Sequence, residues 1–545
     1  MFMKKIILIF IASALLIAFC SSASACTLLY VGSDNTDDGR TIIARSEDNA
    51  TSLNKLMYVS PAGNHRAGEK YTGCYGFTHT FTHDAYRYTA FRDDNLEAVS
   101  NVCPDCGNTH PHTPFEAAGT NEKGVTVSAT ETMYDSINIC KTDPLEDKGI
   151  DEADITTILL GEAATARDGV KLLTDIYDKS GCHGSAGVII ADRSEVWYIE
   201  NFTGHQYIAL KLNNGLIFTV PNISVIGRIN INDKEQVIAS SGLIDTAVRN
   251  GSFVGDADAG IIDYAASYSS KQKEGNRIER LKTALYCNRL DYDITASDPD
   301  RSTYCITNLD EKNRIVPLHN GIQLEQPFGI ADAVDFFRLP FIGNSRNMEV
   351  HIFQIGHSDS VLNTVEWISF DNARFGVFVP YYPLLTTDVD PSCKLGTKTA
   401  EFSKTVPPSG TLFYPSSRLS GTDSGNAPKR EFGYTVLPSD WADSAYWCAD
   451  ALSNLITRSG VSDTVRNTIL QILDREQNAI YRRFYDLNQQ LGDGTGGNAA
   501  ELATKASMAM QSEVHALLAR LVKELAGSTD VKTAASDSAE LPASA

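Results

Sequence analysis

The hydrophobic patterning of residues 26–220 constrains the fold most. Short β-prone runs come in groups, turn-forming residues separate them, and one pair of helical patterns interrupts them. Residues 27–32 and 41–45 flank Ser33-Asp34-Asn35-Thr36-Asp37-Asp38-Gly39 and read as a hairpin. Residues 115–119 and 125–130, with Asn121-Glu122-Lys123-Gly124 between them, read as a second. Residues 185–191 and 196–200 read as a third, turning at Asp192-Arg193-Ser194-Glu195, and residues 206–212 and 216–220 continue it as a meander. Between these groups, Ile155, Ile158 and Leu159 share one face of a helix over 154–163. Thr165 is placed to cap a helix over 166–179, with Val170, Leu173 and Tyr177 at helical spacing and Gly181 just past the end. Strands, a helix pair, then strands again predict an α+β fold: layered packing with antiparallel sheets, not alternating βαβ units.

Beyond this region the sequence is mixed over 235–290, with a helix over 277–288. Strands return over 348–355, 365–370 and 375–379, and helices over 442–457 and 461–487. Gly492-Asp493-Gly494-Thr495-Gly496-Gly497 reads as a flexible linker before a last helix over 500–526. The small, polar residues 528–545 read as a disordered tail. The expected organisation is a signal peptide over 1–25, a main domain over 26–430, a helical extension over 431–527, then the tail.

The amino terminus carries a chemical signal as well. Lys4 and Lys5 precede the apolar run 6–19, and Ala23-Ser24-Ala25 forms a signal-peptidase site. Cutting there would leave 520 residues beginning at Cys26. A thiol and a free α-amine would then share one carbon, and an amine with a pKa of about 8 can act as base for its own thiol. Two other readings stand beside this one. Cys26 is simply the first residue of a secreted protein, or it bears a lipid anchor. Against the anchor, the position three before Cys26 is Ala23 rather than Leu, and Cys20-Ser21-Ser22 separates it from the apolar run; Cys20 fits no better behind Phe19.

Charge narrows the partners. The formal net charge of −21 becomes −23 when Lys4 and Lys5 are removed. Such a chain is a poor nucleic-acid binder, and no basic stripe with interleaved aromatics occurs. No later apolar stretch is long enough for a stable membrane span. The expected location is secreted, periplasmic or cell-surface associated. Of 11 cysteines, ten follow the cleavage site, so export makes disulfides plausible without fixing their pairing. Cys103 and Cys106 with His110 and His112 have the spacing of a structural zinc site, or of thiols committed to disulfides. No metal or other cofactor is assigned to catalysis. His351 and His357 read as ordinary strand and loop residues.

The segment Cys26-Thr27-Leu28-Leu29-Tyr30, with Gly39-Arg40-Thr41-Ile42-Ile43-Ala44-Arg45-Ser46-Glu47-Asp48-Asn49 after it, resembles the start of the C69 dipeptidases. These are N-terminal-nucleophile (Ntn) hydrolases related to penicillin V acylase and bile salt hydrolase. The resemblance runs from Cys26 to about residue 383. It implies a four-layer αββα sandwich for the main domain, with the C-terminal helices as an extension. It also implies a catalytic Cys26 with Arg45 and Asp48 beside it. A cation near sulfur favours the thiolate, and a carboxylate can orient the new α-ammonium. Arg45 is expected to tune the thiol while adding little to thermal stability.

The resemblance extends to weaker positions. The strand at 124–132 corresponds to one that supplies an oxyanion-hole asparagine in the related acylases. Here Thr130 or Glu131 stands in that place, so these two are candidate substrate-binding residues and a backbone N–H is a candidate donor. Asn222, after Phe218-Thr219-Val220-Pro221, is a candidate oxyanion or orienting amide, and otherwise a turn asparagine. Arg277, in Asn276-Arg277-Ile278-Glu279-Arg280, matches a family helix-start arginine, and is otherwise a solvated helix residue. The implied activity is hydrolysis of dipeptides or short peptides. The alternatives are an acyl-amide C–N hydrolase of the same superfamily and a non-catalytic secreted protein stabilised by zinc or disulfides.

Overall fold

The computed structural model describes residues 26–48, 54–73, 75–93, 116–131, 138–220, 222–269, 305–318, 324, 326–340, 342–395, 400–408, 410–420, 429–457 and 461–527. The leader, the Cys103/His112 cluster, the helix expected over 277–288 with Arg277, and the tail lie outside these residues.

Two large antiparallel sheets form the centre. Their strands in chain order are β1 (Thr27–Val31), β2 (Thr41–Asp48), β3 (Lys55–Ser60), β4 (Tyr88–Asp93), β5 (Glu116–Asn121), β6 (Thr126–Glu131) and β7 (Ala186–Ala191). There follow β8 (Val196–Asn201), β9 (Tyr207–Lys211), β10 (Ile217–Val220), β11 (Val237–Ala239), β12 (Asn347–Ile355), β13 (Thr364–Phe370) and β14 (Val379–Tyr381). Among the described residues one sheet has six strands in the order β10-β1-β2-β12-β13-β14, and the other has eight, β11-β9-β8-β7-β6-β5-β4-β3.

The sheets pack face to face. Aromatic rings cross the interface: Tyr198 on β8 meets Phe218 on β10 at 5.9 Å, and Phe91 on β4 meets Phe353 on β12 at 6.3 Å between centroids. Such pairs add to the burial of their large apolar area. Helices α1 (Glu152–Glu162) and α2 (Ala166–Ser180) cover the outer face of the eight-stranded sheet, where Ile155, Ile158, Leu159, Val170 and Leu173 pack on Val127, Val188, Ile190 and Trp197. The helix starts are set locally. Asp151 and Asp154 form a capping box at α1, and the Thr165 hydroxyl accepts from the Asp168 N–H at α2. Gly181 ends α2 with a φ of 70°, which a side chain would resist.

The six-stranded sheet is covered on its other side by α3 (Ala445–Thr457), α4 (Asp463–Leu491) and α5 (Ala499–Gly527), whose apolar residues join the same core. Trp367 on β13 meets Tyr481 and Phe484 of α4 at 5.7 and 4.8 Å. The Gln477 side chain pairs both backbone polar groups of Phe378, at 2.7 and 3.1 Å. Helix, sheet, sheet, helix is the four-layer order that the resemblance implies.

Two expected strands are placed differently. Residues 217–220 do not extend the meander; they cross to the other sheet and pair with β1. The reversal after β9 bonds to the turn after β1, with Gly32 N–H to Leu216 O at 2.9 Å and Asp34 N–H to Asn214 O at 3.1 Å. A Cβ on Gly32 would lie 2.1 Å from Asn214 O, so the close approach requires glycine there. Residues 375–379 are not one strand either. A 3₁₀ turn, Ala373–Phe375, capped by the Asn372 side chain, occupies their start, and β14 begins only at Val379.

Candidate active site

Cys26 immediately precedes β1, at the end of the six-stranded sheet where β2 changes from apolar to charged. Ile42, Ile43 and Ala44 fill the core, and Arg45, Ser46, Glu47 and Asp48 stay buried beyond them. In the antiparallel register Leu28 faces Arg45 and Thr27 faces Ser46, whose hydroxyl accepts from the Thr27 N–H at 3.2 Å. The next step of that register brings the charged end of β2 against Cys26.

Arg45 Nη1 approaches the Cys26 sulfur at 3.7 Å. Its remaining nitrogens are fixed: Nε donates to Ser128 Oγ at 2.9 Å and Nη2 to Ala117 O at 3.2 Å. Glu47 lies 3.9 Å from Nη2, and Glu152, at the start of α1, 4.0 Å from Nη1. Burial alone would lower the proton affinity of this guanidinium, but the Cys26 sulfur, Glu47, Glu152 and Glu349 around it raise it above its ordinary value. The cation is thus held in a fully enclosed position by groups from three layers. Removing it would leave a cavity, and would take one partner each from Glu47, Glu152, Ser128 and Ala117 O. The expectation that Arg45 adds little to stability is therefore corrected, since breaking a buried pair costs about 3–5 kcal/mol.

Burial pushes the Cys26 thiol up to about 12; Arg45 opposes that, Asp48 and Glu152 add to it, and the Asp48 backbone N–H lowers it again by bonding the sulfur. The Asp48 carboxylate is held in place by Asn347 Nδ2, which donates to Oδ1 at 2.7 Å.

Behind Arg45 lies a second tier. Ser128 Oγ is 2.9 Å from His351 Nε2, and His351 Nδ1 is 2.9 and 3.1 Å from the two oxygens of Glu349. Burial lowers the affinity of His351 for a proton, with Glu349 opposing. Lys55 on β3 bridges Glu47 and Asp93. Burial works against the Lys55 charge, but Asp93, Glu47 and Glu349 together hold it protonated.

Of the residues singled out from sequence, Cys26, Arg45 and Asp48 come together. Asn222 is buried, has a left-handed φ of 53° and lies two residues past the end of β10, the strand that pairs with β1. Thr130 and Glu131 end β6, opposite Gly187 and Ala186 of β7 and two and three residues past Ser128. Sequence reasoning missed Ser128, Glu152, Glu349 and the setting of His351. Alternation along β6 and β12 offered a signal: a polar side chain on the face that otherwise fills the core needs a buried partner. His357 is a loop residue bonded to Arg193 O at 3.0 Å.

The described residues hold no group of three or more His, Cys, Asp or Glu side chains suited to a metal ion, and no helix long and apolar enough to cross a membrane.

Residues 25–406 match the family model of Peptidase family C69. The chain belongs to peptidase family C69. As a C69 peptidase it is an enzyme of amide hydrolysis, and its relatives are named accordingly. "Probable dipeptidase B" of Streptococcus pyogenes serotype M1 is 30% identical over 387 residues, 66% of this chain and 72% of that protein. "Probable dipeptidase" of Salmonella dublin is 28% identical over 390 residues, 70% of this chain and 85% of that protein. Among solved structures, penicillin V acylase from Agrobacterium tumefaciens is similar at 13% identity and a TM-score of 0.28, over 65% of this chain and 85% of that one.

Proposed function

We propose that this C69 peptidase is an exported dipeptidase in which removal of residues 1–25 makes Cys26 an N-terminal nucleophile. The observation that carries the reading is the 3.7 Å approach of a fully buried, rigidly bonded Arg45 to the Cys26 sulfur. A guanidinium spent on one sulfur makes sense where that sulfur must carry negative charge. The names of the relatives support a dipeptide as substrate.

In the full chain the Cys26 nitrogen is an amide and cannot take a proton, and the thiol stays protonated at neutral pH. Cleavage after Ala25 converts that amide into an amine. The amine accepts the thiol proton, and the sulfur attacks the substrate carbonyl carbon, with Arg45 steadying the thiolate. The amine returns the proton to the leaving nitrogen as the C–N bond breaks, which leaves a thioester on Cys26. Water, losing a proton to the same amine, adds to the thioester carbon; the C–S bond then breaks, the acid leaves, and the ammonium returns its proton to the sulfur. Asp48 holds the ammonium form in place. The Asn222 amide and a backbone N–H are the candidate donors to the developing oxyanion, and Thr130 and Glu131 keep their candidate roles in substrate binding. Arg277 keeps its candidate role from the family resemblance.

Cys26→Ala in the mature enzyme should abolish dipeptide hydrolysis while leaving the melting temperature near wild type, and Cys26→Ser should retain a trace. Wild-type turnover by Cys26→Ala would overturn the reading. Faster cleavage of N-acyl amides than of dipeptides by the wild type would move it to the acyl-amide hydrolases.

A further inference from the structure

We propose that Ser128, His351 and Glu349 form a fixed chain that positions the Arg45 guanidinium against the Cys26 sulfur, with His351 as its essential positioning residue. The inference rests on the reading of Cys26 as nucleophile and adds a residue set to it.

The donors and acceptors allow one direction. The Glu349 carboxylate accepts hydrogen bonds, so His351 donates from Nδ1 at 2.9 and 3.1 Å. A neutral imidazole then has only a lone pair on Nε2, which must accept from the Ser128 hydroxyl at 2.9 Å. With its hydrogen committed, Ser128 Oγ offers lone pairs, and one of them takes the Arg45 Nε–H at 2.9 Å. Every polar hydrogen of the chain is thereby used in one orientation. A serine alone could rotate its hydroxyl toward other acceptors and leave Arg45 loosely held. The imidazole removes that freedom. It is itself clamped, because its ring stacks on Phe91 at 5.7 Å with planes 11° apart.

The charged groups around His351 agree with a neutral ring. Glu349 lies on its own strand and Arg45 and Glu47 on β2, with Lys55 beyond Glu47; the facing sheet offers Ser128 and Phe91, and β13 sets apolar Ile368 opposite. A proton on Nε2 would put a second cation beside Arg45 and aim two donors at one hydroxyl oxygen. The chain would then reverse or break. No step of the proposed hydrolysis moves a proton through these residues, so their burial and full pairing call for a different role, and geometry supplies it.

The test reads the hold on sulfur directly. In the mature enzyme, the rate of Cys26 alkylation by iodoacetamide is followed against pH by mass spectrometry of the N-terminal peptide, beside kcat and KM for a dipeptide. His351→Phe keeps the ring stack and removes both nitrogens. It should move the alkylation midpoint up by about one pH unit or more, and lower kcat by about tenfold or more with KM within about threefold. His351→Gln, which can still accept from Ser128, should recover most of both. Ser128→Ala removes a single atom and should behave as His351→Phe does; it decides the matter if His351→Phe does not fold. An alkylation profile in Ser128→Ala or His351→Phe equal to wild type would overturn the proposal, as would a His351→Gln no better than His351→Phe. Alkylation reports on the sulfur whether or not peptides are cleaved. A failure of the chain is thus separable from a failure of the nucleophile assignment, which Cys26→Ala tests.

Discussion

Replacing Arg45 by glutamine removes one charge from the centre of the site while keeping one amide nitrogen, at the place of Nε, that can donate toward Ser128. The guanidinium stands 3.7 Å from the sulfur. At an effective dielectric of ~20, a unit pair at that distance interacts by about 4 kcal/mol, or about three pKa units at 1.36 kcal/mol each. Asp48 and Glu152, which already oppose the thiolate, lose part of their counter-charge in the variant. The mature Arg45→Gln enzyme should therefore alkylate at Cys26 with a midpoint about two to three pH units above wild type. Turnover at neutral pH should fall by a comparable factor, because the thiolate is the reacting form. Arg45→Lys restores the charge without the fork and should lie between the two. The assay is the pH dependence of iodoacetamide labelling of the N-terminal peptide, run beside a melting curve. A folded Arg45→Gln protein whose midpoint lies within about half a unit of wild type would refute the claim that Arg45 sets the thiol.

Three further outcomes follow from the same geometry. Arg45→Ala should lose about 3–5 kcal/mol of stability, read as a lower urea midpoint, because Glu47, Glu152, Ser128 and Ala117 O each lose a buried partner and the Arg45 volume becomes a cavity. Dipeptides with both termini free should be cleaved about ten to a hundredfold faster in kcat/KM than N-acetylated or amidated analogues, since a blocked terminus leaves a buried polar partner unmet; equal values would remove terminus recognition. Glu116 is buried with the Tyr88 hydroxyl donating to it at 3.1 Å, and burial pushes its carboxyl from 4.5 up to about 8. The folded protein then keeps a proton that the unfolded chain releases, so this residue makes stability fall as pH rises from about 4.5 to about 8. Glu116→Gln should flatten that slope in urea unfolding at intermediate pH values, and an unchanged slope would mean that Glu116 is ionised in the native state.

What could be read in advance is what local chemistry decides. The Thr165 cap, the Gly181 stop and the turns at Gly39 and Gly124 each act within a few residues, and the helix and hairpins they delimit appear where the sequence places them. Cys26, Arg45 and Asp48 were legible through the resemblance of one short segment to the C69 dipeptidases, and a single hairpin, whose register follows from its turn, carries all three. Residues 217–220 were misplaced because their partner strand lies some 190 positions earlier and the deciding contact is backbone to backbone at Gly32. Ser128, Glu152 and His351 reach Arg45 from β6, α1 and β12, elements that only tertiary packing brings together. Alternation along β12 puts His351 on a core-filling face and so calls for a buried partner, but nothing in the sequence says that the partner is Ser128.

The central claim is that Cys26 becomes both the first residue and the nucleophile, and one mass-spectrometric measurement tests both halves. The protein is recovered from its natural compartment, treated with a thiol-directed acylating dipeptide analogue, digested and sequenced from its N-terminal peptide. The account predicts a peptide that begins at Cys26, has an unblocked α-amine and carries one acyl group on sulfur. A mature chain starting at any other residue, a lipid on Cys26, or the acyl group on a different side chain would contradict it.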